Sequence, residues 1–257
     1  MSMIKGGSAG FNHVVFYSEN YGSKAIRSKD GTIEINIFKR KLAPKLDRLI
    51  GKIPFIRGLF LFVKPVIMMW KIHLILLTIF VFLVLGSRDG GTSISFLPII
   101  AEWIQHSFLL LVAIILFIFG IIIKLSNLGK YHAAEHMTDT SYSTLSSLQI
   151  SDVMKQSRIH HHCGTNFVVF FFVINLILSL FISQITVLMI LSVCLSYEVF
   201  LIQSRWMAPF YWIGAFFQYT LFTSKPSIQH LEVAIASYEE LIRAETNASK
   251  NRDETKK

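Results

Sequence analysis

The uninterrupted apolar run from Phe108 to Ile123 restricts this chain more than any other feature. A helix of about 20 such residues crosses the hydrocarbon of a bilayer, and four segments approach that length. They are Val66 to Leu85, with Lys71 and His73 near its start, then Trp103 to Ile123, Phe167 to Ile182, and Ile185 to about Ile202. Ser183-Gln184 reads as the short turn between the last two. Apolar residues are blocked rather than scattered. With 53% hydrophobic residues, 22 Phe and a mean hydropathy of +0.52, the composition describes a membrane protein and not a soluble domain. The expected fold class is a mainly α-helical polytopic membrane protein with about four transmembrane helices, a small N-terminal β-hairpin or meander, and cytoplasmic helices.

Charge placement orients the spans. Thirteen of the 25 Lys and Arg precede or begin the first apolar segment, whereas residues 86–102 carry only Arg88. Lys124, Lys130, Lys155 and Arg158 follow the second span, and seven more basic residues, from Arg205 to Lys257, follow the fourth. The bias predicts a multi-pass protein of the cell membrane with both termini cytoplasmic. The net charge of +9 is explained by basic flanks beside an anionic leaflet, so membrane lipid is an expected partner and nucleic acid is not. The N-terminus shows no apolar signal-peptide core.

Outside the spans, residues 1–40 read as a small cytoplasmic β region. Strands are expected at Val14 to Tyr17, Ser23 to Arg27 and Thr32 to Ile37, with Asp30-Gly31 as a hairpin signal. Residues 41–64 read as a basic amphipathic helix lying on the inner leaflet. Residues 65–204 form the four-span region, whose loop 124–165 holds the chemistry. Residues 205–224 are dense in aromatics and read as an interfacial segment begun by Pro209, re-entrant or in-plane, with a fifth partial span as the alternative. Residues 225–257 read as a cytoplasmic helix, Ile228 to Ala244, and a disordered tail.

Immediately after the second span stands Tyr131-His132-Ala133-Ala134-Glu135-His136, an H-x-x-E-H pattern. On a helix, positions 132, 135 and 136 share one face, so two imidazoles and a carboxylate converge on a point. In inverted zincins the two histidines ligate zinc and the glutamate works on the water. Histidines beside a membrane also serve merely to hydrogen-bond headgroups or carbonyls, and the pattern alone does not separate the two uses. A second cluster, His160-His161-His162-Cys163, precedes the third span, and Glu198 lies near the end of the fourth, where an unpaired charge is costly. Cys163 is a plausible thiolate ligand or a free reduced thiol; Cys194 is a packing residue, and no disulfide framework is implied.

Several of these motifs occur together in one family. Gly6-Gly7-Ser8-Ala9, Asp30-Gly31, Ile53 to Gly58, Tyr131 to His136, His160-x-x-Cys163-Gly164-Thr165, Tyr197-Glu198 and Leu231 to Ala236 resemble, nearly end to end, the YqhQ-like bacterial membrane proteins. That resemblance implies a metal-dependent enzyme. Ala133 stands where the family pattern has glycine, and His161 and His162 stand where it has proline and arginine. Ser8 and Asn12 replace a glutamine and a glutamate, which marks a divergent member whose substrate has changed if those groups touch it.

These readings lead to an expected function. The chain is expected to be a zinc-dependent membrane hydrolase, with another divalent metal as the alternative ion, acting on a peptide or lipid-linked substrate at the cytoplasmic face. A peptidase is favoured by analogy with the motif. His132 and His136 are the firmest ligands, with Glu198, His160 or Cys163 as the third and Glu135 as general base. A closed four-ligand scaffold or regulatory module and a transporter subunit are the rival classes; a homo-oligomer is compatible with all three.

Overall fold

In a computed structural model that describes residues 4–40, 45–75, 77–79, 96–202 and 205–254, the protein is mostly helical, with a four-stranded antiparallel sheet at its N-terminus. Two compact units are formed by different parts of the chain. The first unit draws on residues 1–44, 119–170 and 203–257, the second on 45–118 and 171–202.

The sheet of the first unit is a meander in chain order: β1 (Gly6–Ala9), β2 (His13–Tyr17), β3 (Tyr21–Arg27) and β4 (Ile33–Lys39). The expected strands are present, and the Asp30-Gly31 signal lies in the turn between β3 and β4. There the Asp30 carboxylate accepts the Thr32 N–H at 3.1 Å, and Gly31 takes φ +91. The strand missing from the sequence reading is β1. Gly-Gly-Ser-Ala has weak strand propensity, and it is extended because it pairs along β2, Gly7 opposite Phe16 and Ala9 opposite Val14.

Helix α5 (Asn127–Leu145) packs on β1 and β2, and α10 (Ile228–Glu254) lies across β2, β3 and β4 and against α5. The core follows from the two periodicities. Val14 and Phe16 alternate on β2; Leu231, Ala234, Tyr238 and Leu241 recur at helical spacing on α10; Tyr131, Ala134 and Met137 do so on α5. Phe16 and Tyr238 meet edge to face at 4.7 Å between ring centroids. Ala133 and Ala134, both fully buried, leave room for the helices to approach. The short helix α6 (Ile150–Val153) adds Val153 to this core. α10 continues to Glu254 through residues expected to be a disordered tail, with the Thr246 hydroxyl bonded back to the Ile242 carbonyl at 2.8 Å.

The first unit also holds a 3-10 turn (Arg205–Met207), α9 (Ala208–Phe217), which has a proline in its first turn, and a π-turn (Gln218–Phe222). These account for the aromatic segment.

In the second unit the expected amphipathic helix is two helices, α1 (Lys45–Ile50) and α2 (Ile56–Met68). Pro54 disfavours helix at Ile53, and Phe55 sits at φ +65 in the break. α2 packs against α8 (Ile185–Leu201), and Arg57 forms an ion pair with Glu198 across that contact. α7 (Gly164–Ser179) is tied to α8 by a buried hydrogen bond from the Asn175 amide to the Ser192 hydroxyl at 3.0 Å.

Of the four expected spans, the first falls partly on residues outside those described; its beginning is divided between the end of α2 and α3 (Trp70–Ile79). The second lies within α4 (Phe96–Leu125), and the third and fourth correspond to α7 and α8. Among the described residues no single helix is long and apolar enough to cross a membrane. Leu110–Leu125 and Asn127–Leu145 meet the criterion together but are bent by 81°.

Candidate metal centre

Helix α5 presents His132, Glu135, His136 and Asp139 on one face, since offsets of three, four and seven residues return to the same side. The two imidazoles lie 4.3 Å apart between ring centroids. Each is held from behind by a carbonyl. His132 Nδ1 lies 3.0 Å from the Phe222 oxygen, and His136 Nδ1 lies 2.8 Å from that of Arg158. A carbonyl only accepts, so Nδ1 carries the proton in both rings and Nε2 is left with its lone pair. This is how a metal-ligating histidine is usually oriented.

The turn from His160 to Cys163 brings the third donor. One ligand atom each of His132, His136 and Cys163 lie within 4.8 Å of one another, and Cys163 Sγ is 3.6 Å from His132 Nε2. Zinc distances of about 2.0 Å to nitrogen and 2.3 Å to sulfur make the N–S edge of a tetrahedron about 3.5 Å. The Cys163–His132 edge matches that length, whereas the other edges, within 4.8 Å, would shorten by up to about 1.5 Å around a zinc ion. Two imidazoles and a thiol are also the soft and borderline donors that zinc selects.

Burial sets the chemistry of each group. It drives the His136 imidazole well below its ordinary value, helped by the neighbouring His132 and His160 rings, so His136 is neutral and free to ligate. Burial also pushes the Cys163 thiol up, so ion binding must release its proton. Glu135 is raised to about 7, first by burial and also by Asp139, against a lowering from His132. Its carboxylate lies 3.5 Å from His136 Nε2. β1 closes over this group: a Cβ on Gly7 would lie 2.2 Å from Glu135 Oε1, so a larger residue there would push the carboxyl group from its place.

The raised Glu135 group makes stability pH-dependent in protein stripped of metal. Its folded value lies above the unfolded one, so the stability present while it is protonated is lost as pH rises from about 4.5 through 7. Glu135→Gln cannot ionise. Its stability is expected to exceed that of the wild type by up to about 3 kcal/mol at pH 8, and by nearly nothing at pH 4.5. Both proteins retain His136, whose opposite dependence cancels. Unfolding of EDTA-treated protein at the two pH values measures the difference, and an equal offset at both would show that Glu135 is not held neutral by burial.

His160 is in the same cavity but is not one of the three grouped donors. Its Nε2 lies 3.2 Å from Asp139 Oδ2, and the Tyr238 hydroxyl donates to Asp139 Oδ1 at 3.1 Å. Burial, then Asp139, raises the Tyr238 phenol, which keeps it a donor. Glu198 belongs to the second unit. Its carboxylate takes the Arg57 guanidinium and the Phe55 N–H, the latter at 2.9 Å, so it is occupied by a structural ion pair. His161 and His162 are exposed. The sequence reading assigns no role to Asp139 or Gln218 and takes Gly7 only as part of the Gly6 to Ala9 motif. Asp139 was findable, two turns beyond His132 on the same face. Gln218 is fully buried in an otherwise apolar stretch, which is an unusual place for an amide. The cavity has a volume of about 410 Å³ and is lined by His132, Glu135, His136, Asp139, His160 and Cys163, with β1 along one side.

The family described as "Protein of unknown function (DUF1385)" matches residues 62–244. The chain belongs to this family. Every metal-centre side chain named above lies inside the DUF1385 match, whereas β1 and Gly7 precede it. The chain is also similar to "Uncharacterized protein YqhQ" of Bacillus subtilis (strain 168), with 25% identity over 303 aligned positions that cover 96% of this chain and 94% of that protein. No solved structure matches this DUF1385 protein.

Proposed function

We propose that this DUF1385 protein is a membrane-embedded, zinc-dependent hydrolase that cleaves peptide bonds at the cytoplasmic face of the bilayer. The observation that carries the reading is the grouping of His132, His136 and Cys163 beside a buried Glu135 in one cavity. Three grouped donors leave a position for water, whereas a structural zinc site has four, and this favours catalysis over a scaffold.

When bound, the ion would supply a Lewis acid for the scissile carbonyl and acidify the attacking water. Glu135 takes the proton from that water as its oxygen bonds to the carbonyl carbon. It returns the proton to the leaving nitrogen as the C–N bond breaks. A carboxyl raised toward 7 suits a group that must accept and then release a proton. Asp139 holds the His160 ring in the cavity through Nε2.

A peptide substrate is supported by β1, the sheet's edge strand beside the cavity. The Gly10 N–H bonds the His13 carbonyl at 2.9 Å, and antiparallel alternation then turns the N–H and C=O groups of Gly7 and Ala9 away from β2. Such a strand edge matches the main chain of an extended peptide.

A bilayer is supported by wide apolar exposure. In the first unit Trp206 is 86% and Trp212 72% exposed; in the second, Phe181 is 81% and Leu180 76% exposed. Soluble surfaces rarely carry such patches without a partner.

Cobalt tests the metal reading. The full chain in detergent is expected to bind one equivalent and to show a thiolate-to-cobalt charge-transfer band. Its ligand-field bands should move when a small hydroxamate is added, because only an open coordination position accepts that ligand. A spectrum indifferent to hydroxamate would favour the scaffold. Topology is tested separately. Cysteines placed at Ser151 and Ser249 should be labelled from the cytoplasmic side and one at Ser93 from outside, and outside labelling at Ser151 would move the site to the other face.

A further inference from the structure

Neither histidine motif contains what holds the two halves of the centre together. We propose that Gln218, at the start of the π-turn, is a positioning residue that sets the place of Cys163 against His132; the inference rests on the three-donor metal reading.

The Gln218 side chain is fully buried and spends both ends of its amide on the backbone of one residue, His160. Its Oε1 accepts the His160 N–H at 2.9 Å, and its Nε2 donates to the His160 carbonyl at 3.1 Å and to Asn166 Oδ1 at 3.2 Å. Asn166, also buried, donates to the His161 carbonyl at 2.7 Å and to that of His160 at 3.3 Å. The His160 carbonyl in turn accepts the Cys163 N–H at 3.3 Å, closing the turn that carries the thiol. Fixing the backbone of His160 therefore fixes where Cys163 Sγ falls.

The same five residues hold the other half. The Thr223 N–H bonds the Gln218 carbonyl at 2.8 Å, a five-residue reach that widens the helix here. Carbonyls at a helix end have no partner within the helix, and that of Phe222 is spent on His132 Nδ1. The next carbonyl, that of Thr223, accepts Lys124 Nζ at 2.7 Å, and so does that of Tyr219. Gln218 and Phe222 thus lie at the two ends of one π-turn, one holding the cysteine turn and the other the first histidine. A regular α-helix advances about 100° per residue, so over four residues it would direct a side chain and a carbonyl differently. Widened helical turns are frequent at functional sites.

Outer contacts of this kind govern metal affinity about 10- to 100-fold. The test uses full-length protein in detergent, with zinc affinity measured by competition against a metal indicator and the cobalt spectrum recorded beside it. Gln218→Leu keeps the volume and removes every hydrogen bond; zinc affinity should fall about 10- to 100-fold, and the thiolate-to-cobalt band should weaken or shift. Gln218→Glu retains the acceptor for the His160 N–H but sets a carboxyl oxygen against the His160 carbonyl and Asn166 Oδ1, so its spectrum should also depart from that of wild type. It also serves if the leucine variant does not fold. A merely structural glutamine would lower the melting temperature and leave the spectrum and affinity of the folded protein unchanged, and that result overturns the proposal. Failure of the wild type to bind cobalt or zinc would instead overturn the metal reading beneath it.

Discussion

Glu135→Gln is expected to retain full zinc occupancy while hydrolysis of a quenched-fluorescent peptide library falls by about two to four orders of magnitude. Glutamine preserves the size of the side chain under β1, where Gly7 leaves little room for anything larger, but it cannot take a proton from water. Glu135 is not one of the three grouped donors, so the metal should survive its loss. If the carboxylate were a ligand, zinc content would fall together with activity. Undiminished turnover in a zinc-replete variant would rule out the hydrolase mechanism proposed here.

His132→Ala and His136→Ala are each expected to abolish stoichiometric zinc binding. Removing one imidazole leaves a two-donor site, and the loss should exceed the 10- to 100-fold that outer contacts control. Cys163→Ala should do the same, which separates the thiol from His160 and Glu198 as the third donor. His161→Ala and His162→Ala should be mild, because both side chains are exposed. Full zinc occupancy in His132→Ala and His136→Ala, measured on purified protein, would defeat the assignment.

Much of the centre can be read from local spacing. His132, Glu135 and His136 lie within one helical turn, so their convergence needs only that residues 127–145 be helical. The strands from His13 onward are similarly legible: β2 is a run of β-branched and aromatic residues, β4 alternates Ile33, Ile35 and Ile37, and turn signals separate them. The break between α1 and α2 could be anticipated from Gly51 and Pro54, although the amphipathic pattern runs through both helices and masks it.

Selection among distant residues was not legible. Glu198, His160 and Cys163 were equivalent candidates in the sequence, each a donor type at a helix end. Arg57 engages the first, Asp139 the second, and the turn closed by Gln218 and Asn166 directs only the third toward His132. Strand β1 was hidden for the same reason, since glycine-rich residues become extended only when β2 is there to pair with them. The sequence alone thus determines the helical and strand periods, the family and the two-histidine pair, because those depend on residues within a turn or two of one another. Tertiary structure decides the third donor, the orientation of each imidazole and the cover over Glu135. Those rest on single hydrogen bonds and close approaches between segments up to about 130 residues apart, and no local pattern encodes them.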